Sequence, residues 1–299
     1  MKVLSFLKRF FSYIVILVAF YFIFKNIFRN WYEIKPILFN INWYYILFSY
    51  LLLFPSLFFY AYAWQIIIKE LEKDKNISFF NSLGIIAVSN LGKYVPGKIW
   101  FALSRIDFVK RFGFSEKNIF FGILLESFYL FLGAFFYFIF FLKKFFFLPI
   151  LLLLIIITPN FFKIIFNFLL KIFKKEKMEF SFPVKKSIIL LFLYILCWFF
   201  QGLSFFLLIK SFYSQVNFHN LFSLIGIYAL SWMLGFIVLI APGGLGVREG
   251  SILLFLKDLF PIGIASLIAL TSRIWITIHE LLNFLIFGLI FLTKIRKKI

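Results

Sequence analysis

Long apolar runs separated by short polar connections dominate this chain. A helix needs about 20 mostly apolar residues to cross a bilayer, because its backbone must satisfy its own hydrogen bonds where there is no water. Seven runs reach or approach that length, and the last could hold two short crossings or one tilted helix. We therefore predict an all-α integral membrane bundle of about eight transmembrane helices. The runs are 10–24, 41–68, 119–142, 145–170, 188–209, 221–240 and 262–293.

The composition supports a polytopic membrane protein. The 299 residues are 64% hydrophobic, with a mean hydropathy of +1.02 and 51 Phe, far more than a soluble core needs. No composition break divides the chain, so we treat residues 1–299 as one transmembrane domain. One cysteine and two histidines leave no set of metal ligands, and we expect neither a metal nor a cofactor.

The net charge of +20 would suggest a nucleic-acid partner in a soluble protein, but here the basic residues lie between apolar runs. The positive-inside rule then predicts cytoplasmic N- and C-termini, and an external connection at 211–220, which lacks Lys and Arg. We expect a bacterial cytoplasmic membrane protein with no nucleic-acid partner. The cytoplasmic groups are Lys2, Lys8 and Arg9; Lys171, Lys174, Lys175, Lys177, Lys185 and Lys186; and Lys294, Arg296, Lys297 and Lys298.

Two Pro-Gly segments interrupt the apolar pattern: SNLGKYVPGKIW at 89–100 and APGGLGVREG at 241–250. The piece before the first, at 79–88, is too short to cross alone and lies between basic flanks. One interpretation is a re-entrant hairpin, which requires surrounding protein or a water-filled cavity. The other is a short ordinary crossing that ends in Pro-Gly. The second segment is predicted to enter the membrane in the same way.

The stretches of chain after the two Pro-Gly segments resemble each other. Glu126 comes after Pro96, and Arg273 comes after Pro242, at nearly the same distance and within an apolar helix. Paired broken helices at matching positions of two halves often surround a transporter's substrate site. The alternatives are a diverged internal repeat and a chance likeness between apolar stretches.

Ionisable residues inside the apolar runs mark the candidate site, because a charge near the bilayer centre is costly unless it has a partner or faces a cavity. Arg273, Thr277 and Glu280 share one helical face, and Arg248 and Glu249 lie at an edge. The alternative is that these charges only form structural ion pairs; for Glu126, the partner would be a residue such as Lys117.

Residues 92–98 match the beginning of a phosphate-binding loop, but Ile99 stands where a Ser or Thr would hold magnesium. We therefore predict no nucleotide hydrolysis. Backbone amides freed by glycine and proline, beside Lys93 and Lys98, can still bind an anionic group such as a lipid phosphate.

APGGLGVREG, together with LGKYVPGKIW and Arg105, resembles the transmembrane region of the lysylphosphatidylglycerol synthase/flippase family over nearly the whole chain. The resemblance implies a helical bundle with re-entrant segments that moves a lipid between leaflets. It also implies that the lipid site is shaped by Pro96, Gly97, Pro242, Gly243, Gly244, Gly246, Arg248 and Glu249. Only KIRKKI comes after Thr293, so we expect no soluble domain for aminoacyl transfer.

We therefore predict a flippase-like transporter, not an enzyme, for a phospholipid or polyprenyl-phosphate lipid. Arg105 and Arg248 would attract the phosphate, while Glu126 and Glu249 would pair with them or with a cationic headgroup. Two alternatives remain: an enzyme that modifies lipid-linked glycans, and a membrane subunit that supports a lipid-modifying enzyme. The partners are membrane lipids, with a homo-oligomer or such an enzyme also possible. The predicted substrate-binding residues are Lys93, Pro96, Gly97, Lys98, Arg105, Glu126, Pro242, Gly243, Gly244, Gly246, Arg248, Glu249, Arg273 and Glu280.

Overall fold

Helices make up the described fold. The computed structural model describes residues 17–95, 99–142, 182–238 and 241–296, with 164–165, 167–168 and 171, and has no strand in these ranges. The all-α prediction is confirmed. The helices are α1 (17–29), α2 (Trp31–Phe39), α3 (Trp43–Leu71), α4 (Phe79–Leu91), α5 (Ile99–Lys110), α6 (Glu116–Leu142), α7 (Val184–Phe212), α8 (Leu221–Ile237), α9 (Val247–Leu256), α10 (Ile262–Asn283) and α11 (Leu289–Arg296).

Five helical stretches are long and apolar enough to cross a bilayer: Trp43–Leu71, Glu116–Ile139, Val184–Phe212, Phe218–Ile237 and Ile262–Arg296. The last is continuous, because the π-turn Phe284–Gly288 joins α10 to α11. The run 262–293 is therefore one helix and not two crossings. Most of the run 145–170 lies outside the described residues, so its crossing stays a prediction.

Helices α3 and α7 pack along their length and form the centre of the bundle. Small polar side chains join them: the Ser56 hydroxyl donates to the carbonyl of Cys197 at 3.1 Å, and Gln201 donates to the Ser56 hydroxyl at 3.1 Å. Such bonds hold helices together where association gains little from the hydrophobic effect. The Ser204 hydroxyl donates to the carbonyl of Ser49 nearer the start of α3.

Basic residues gather at one end of the bundle, which we call the basic end. Lys186 at the start of α7 pairs with Glu70 at the end of α3 at 3.4 Å, so these two helices run antiparallel. Glu72, just beyond α3, accepts hydrogen bonds from the Ser115 amide at 2.7 Å and the Asn118 side chain at 2.9 Å. Burial raises the pKa of Glu72, but these hydrogen bonds outweigh it and hold the pKa below its usual value.

Two helix pairs form hairpins inside the bundle, and each hairpin begins and ends at the same end of the bundle. The first hairpin consists of α4, the turn Gly92–Tyr94 and α5; the contacts of Glu72 with the start of α6 keep both its ends at the basic end. The second hairpin consists of α8, the turn Pro242–Gly244 and α9. It returns to the opposite end, where the ring of Phe260 lies 5.5 Å from that of Tyr213. The turns of the two hairpins contact each other.

Close packing of α7 against α8 depends on Gly202. A methyl group on Gly202 would lie 2.7 Å from Cβ of Ile225, and these backbones cannot separate without disturbing the second hairpin. We expect Gly202→Ala to lower the free energy of unfolding by about 1–3 kcal/mol, the usual cost of overpacking. Thermal unfolding in detergent would measure the loss.

Gly250→Ala is the matched control, because the nearest atom to an added methyl group there is Cβ of Ala19 at 4.0 Å. Alanine is also the better helix former, so this variant should unfold at or above the wild-type temperature. Equal losses at both positions would contradict the packing explanation.

Candidate functional site

A cavity of about 200 Å³ lies where the two hairpin turns meet. Its walls come from all eight helices from α3 to α10, with Lys93 and Gly243 at the turns. Aromatic rings make much of the surface, but several polar groups converge on the space. The polar lining comprises Ser56, Asn90, Lys93, Glu126, Ser127, Gln201, Arg248, His279, Glu280 and Asn283.

The first hairpin is fixed to α6 by a fully buried ion pair between Arg105 and Glu126. The Arg105 guanidinium also donates to the Ser89 hydroxyl at 3.2 Å and lies 4.4 Å from the ring centre of Phe101 and 4.8 Å from that of Trp64. Aromatic faces and a carboxylate therefore surround this cation. Arg105 acts behind the cavity wall, whereas Glu126 reaches the cavity itself.

The turn of the first hairpin is held to α10. Lys93 pairs with Glu280, and the Tyr94 hydroxyl donates to the other carboxylate oxygen of Glu280 at 2.7 Å. The same hydroxyl lies 3.2 Å from the Thr277 hydroxyl. Lys93 and Tyr94 are consecutive residues of the Gly92–Tyr94 turn, and both bind the carboxylate of Glu280. This one carboxylate therefore holds the turn at the cavity.

In and just after the turn of the second hairpin, glycines stand where the backbone φ angle is positive. Gly243, Gly244 and Gly246 have φ values of 56°, 73° and 80°, a region that other residues rarely adopt. Glu249 accepts from the Gly246 amide at 2.6 Å and so caps the start of α9. Arg273 of α10 donates to the Gly243 carbonyl at 2.9 Å, which satisfies a backbone group that the broken helix leaves free.

Each hairpin is thus joined by an ion pair to the helix that follows it. The positive and negative partners have opposite places in the two pairs. In the first hairpin, Arg105 on the returning arm meets Glu126 on α6. In the second, Glu249 on the returning arm lies 3.5 Å from Arg273 on α10. Glu126 and Arg273 thus occupy equivalent places in the two pairs, in agreement with their nearly equal distances from Pro96 and Pro242 in the sequence.

Arg248 differs from the other cations of the site. It lines the cavity, is 7% exposed, and its guanidinium lies 4.7 Å from the ring centre of Tyr228. Among the described residues, no carboxylate lies within ion-pair distance of it. The adjacent Glu249 points instead to the backbone of Gly246 and to Arg273.

Three buried polar atoms on cavity-lining residues have no hydrogen-bond partner within the described protein: Oε1 of Glu126, Nδ1 of His279 and Oδ1 of Asn283. Buried polar groups are normally paired, so such atoms in one cavity call for a polar ligand or water. The cavity therefore offers a cation at one place and hydrogen-bond acceptors at others.

The family model for the lysylphosphatidylglycerol synthase transmembrane region matches residues 9–288. The chain belongs to this family. No curated protein and no solved structure matches the chain significantly. For this family member, the match covers both hairpins and every described residue of the site.

The structure brings most of the predicted site residues together in this family member. Five line the cavity: Lys93, Glu126, Gly243, Arg248 and Glu280. The others support it from behind or shape the second turn: Arg105, Glu249, Arg273, Pro242, Gly244 and Gly246. Pro96, Gly97 and Lys98 lie outside the described residues.

The predicted pairing of Glu126 with an arginine of the site is confirmed, whereas Glu249 pairs with Arg273 and not with Arg105 or Arg248. Glu126 pairs with Arg105 and not with Lys117, because the first hairpin folds α5 against α6 while Lys117 lies exposed at the start of α6. Arg273 and Glu280 share a helix face as predicted, and each binds a different hairpin turn.

Sequence reasoning overlooked Tyr94, Gln201 and Asn283. Tyr94 was not singled out in the sequence, yet its hydroxyl bonds Glu280 of α10. Its position between Lys93 and the Pro-Gly pair was the available signal. Gln201 and Asn283 are isolated amides in apolar runs, and such polar residues within membrane helices usually face a bundle interior.

Removing one partner of the buried pair Arg105–Glu126 should destabilise the protein more than removing both partners. We expect Glu126→Leu to lower the free energy of unfolding by about 3–5 kcal/mol, because it leaves the guanidinium buried without a counter-charge. The double variant Arg105→Met with Glu126→Leu should recover most of that loss. Chemical or thermal unfolding in detergent would compare them.

Glu116→Gln provides the control, since Glu116 pairs with Lys110 on the exposed surface of the basic end. Exposed ion pairs contribute little, so this variant should unfold like the wild type. A double variant no more stable than Glu126→Leu would argue against the pairing explanation.

Proposed function

We propose that this protein is a flippase-like transporter that carries the phosphate-bearing headgroup of a membrane lipid through the cavity between the two hairpins. The observation that carries the proposal is Arg248, a nearly buried cation that faces the cavity without a carboxylate partner among the described residues. An uncompensated guanidinium in an apolar surrounding is costly, and it is well suited to a phosphate oxygen pair.

The arrangement of the hairpins supports transport in preference to catalysis. One hairpin returns to the basic end and the other to the opposite end, while their turns enclose the cavity between them. A headgroup could thus be reached from either side by movement of one hairpin, as alternating access requires. We propose passive transport, or transport coupled to an ion or proton gradient, and membrane lipids as the partners.

We further propose that both hairpins are re-entrant and that the chain is an inverted repeat. α4 and α5 have 13 and 12 residues, so each is about 20 Å long or less and shorter than the hydrocarbon core. With α8 as a hairpin arm and Ile262–Arg296 counted once, the predicted runs give six crossings, fewer than the eight expected from the runs alone. An even number agrees with cytoplasmic termini in a bacterial cytoplasmic membrane.

Cysteine labelling in membrane vesicles would test this topology. Cys197 is the chain's single cysteine and is buried, so single substitutions can be introduced into a Cys197→Ala background. We expect Asp74→Cys and Lys117→Cys, which flank the first hairpin, to react with an impermeant maleimide from one side. Gln215→Cys and Asp258→Cys, which flank the second hairpin, should react from the other.

Labelling of Asp74→Cys and Lys117→Cys from opposite sides would mean that the first hairpin crosses the membrane. The inverted repeat would then be abandoned. All four positions are exposed, so differences in burial would not account for the result.

Substitution of Arg248 should reduce transport. In proteoliposomes that contain a fluorescent anionic phospholipid, we expect Arg248→Ala to slow exchange between leaflets by about 10- to 100-fold, the equivalent of losing one charge-assisted hydrogen-bonding partner. Arg248→Lys should retain part of the rate. Dithionite quenching of the outer leaflet would follow the exchange.

Arg111→Ala is the control, since Arg111 is exposed and forms an ion pair with Asp107 one helical turn away, at 3.0 Å. It should transport like the wild type. Wild-type rates in the Arg248→Ala variant would rule out this residue as the phosphate ligand, and wild-type protein that exchanges no lipid would overturn the proposed function.

A further inference from the structure

The charged groups around the cavity do not balance. Four cations belong to the described cluster, Lys93, Arg105, Arg248 and Arg273, against three carboxylates, Glu126, Glu249 and Glu280. Every carboxylate has a cationic partner, which leaves one positive charge, that of Arg248. With His279 counted as neutral, the cluster therefore lacks one negative charge.

From this balance we infer that the cavity accepts a monoanionic phosphodiester headgroup and discriminates against a dianionic phosphomonoester. The inference rests on the proposed function for the identity of the ligand as a membrane lipid, and it names the class of that lipid. One phosphodiester charge neutralises the cluster, whereas the second charge of a phosphomonoester would remain uncompensated in a site shielded from water.

The carboxylates of the wall oppose a second negative charge directly. Glu126 and Glu280 both line the cavity, so a dianion held by Arg248 would face two negative side chains across a small space. Repulsion between like charges is strong where little water screens it. Lys93 gives limited relief, because it is already bound to Glu280.

The unpartnered acceptors also favour a phosphodiester. Oε1 of Glu126 and Oδ1 of Asn283 accept hydrogen bonds, and both are on buried side chains that line the cavity. A phosphodiester carries a second substituent, whose hydroxyl or ammonium group can donate to them. A phosphomonoester has no such substituent. The cavity of about 200 Å³ has space for a phosphate with a small substituent.

Equilibrium binding by the purified protein tests the inference without any transport step. The probes are dioctanoyl phosphatidylglycerol and dioctanoyl phosphatidic acid, which share acyl chains and differ at the phosphate. At about pH 8 the phosphomonoester is largely dianionic, because its second pKa is near 6. Isothermal titration calorimetry should find that the wild type binds phosphatidylglycerol at least about tenfold more tightly.

Glu280→Gln should shift this preference towards phosphatidic acid by about tenfold, because it removes a negative charge from the wall while the amide can still bond Tyr94. The exposed variant Glu116→Gln, which removes a carboxylate far from the cavity, should keep the wild-type ratio. Dioctanoyl phosphatidylcholine, a phosphodiester whose substituent has no hydrogen-bond donor, should bind more weakly than phosphatidylglycerol.

Equal or tighter binding of phosphatidic acid by the wild type would overturn the inference, whether or not any variant folds. An unchanged ratio in folded Glu280→Gln would overturn it too. If the ratios are as expected but proteoliposomes exchange no lipid, the inference stands and the proposed transport function fails. If lipid is exchanged but the wild type shows no preference, only the inference fails.

Discussion

Non-helical backbone inside an apolar bundle has to find its hydrogen-bond partners within the protein, and this requirement organises the centre of the molecule. The turn Pro242–Gly244 exposes carbonyl and amide groups that a continuous helix would have satisfied. Arg273 and Glu249 supply the missing partners from either side. A charge brought in for that purpose needs a counter-charge of its own. Among the described residues, every buried charged side chain accordingly belongs to the cluster around the two turns.

The sequence was sufficient to predict the all-α class, from its long apolar runs, and the charged members of this cluster, because charges in apolar runs are rare and costly. Pairing was harder to predict. Glu249 was expected to pair with Arg105 or Arg248, but the packing of the second hairpin against α10 brings it to Arg273 instead. Periodicity along one helix indicated that Arg273 and Glu280 share a face, but it contained no information on which neighbouring segment each would meet. Tyr94 was missed for the same reason: its hydroxyl acts across 186 residues of chain.

The two ion pairs explain the similarity in sequence between the stretches that follow the two Pro-Gly segments. Arg105 with Glu126 and Glu249 with Arg273 perform the same task, which is to fasten a returning arm to the next long helix. The polarity of such a pair matters little for this task, so it can invert between repeats while the geometry is kept. Arg248 has no equivalent role in fastening. Among the described residues, Arg248 has no carboxylate partner, and this separates it from the charges that fasten the hairpins.

Helix α10 binds the turns of both hairpins. Through Glu280 and Thr277 it holds the turn of the first, and through Arg273 it holds the turn of the second. Arg273 and Glu280 are seven residues apart, about 10 Å along one stiff helix. The two turns therefore share a single mechanical support, and a tilt or axial shift of α10 is transmitted to both. In the proposed transport, access from the two sides of the bundle would therefore be linked through the protein itself, without a signal that has to pass through the lipid.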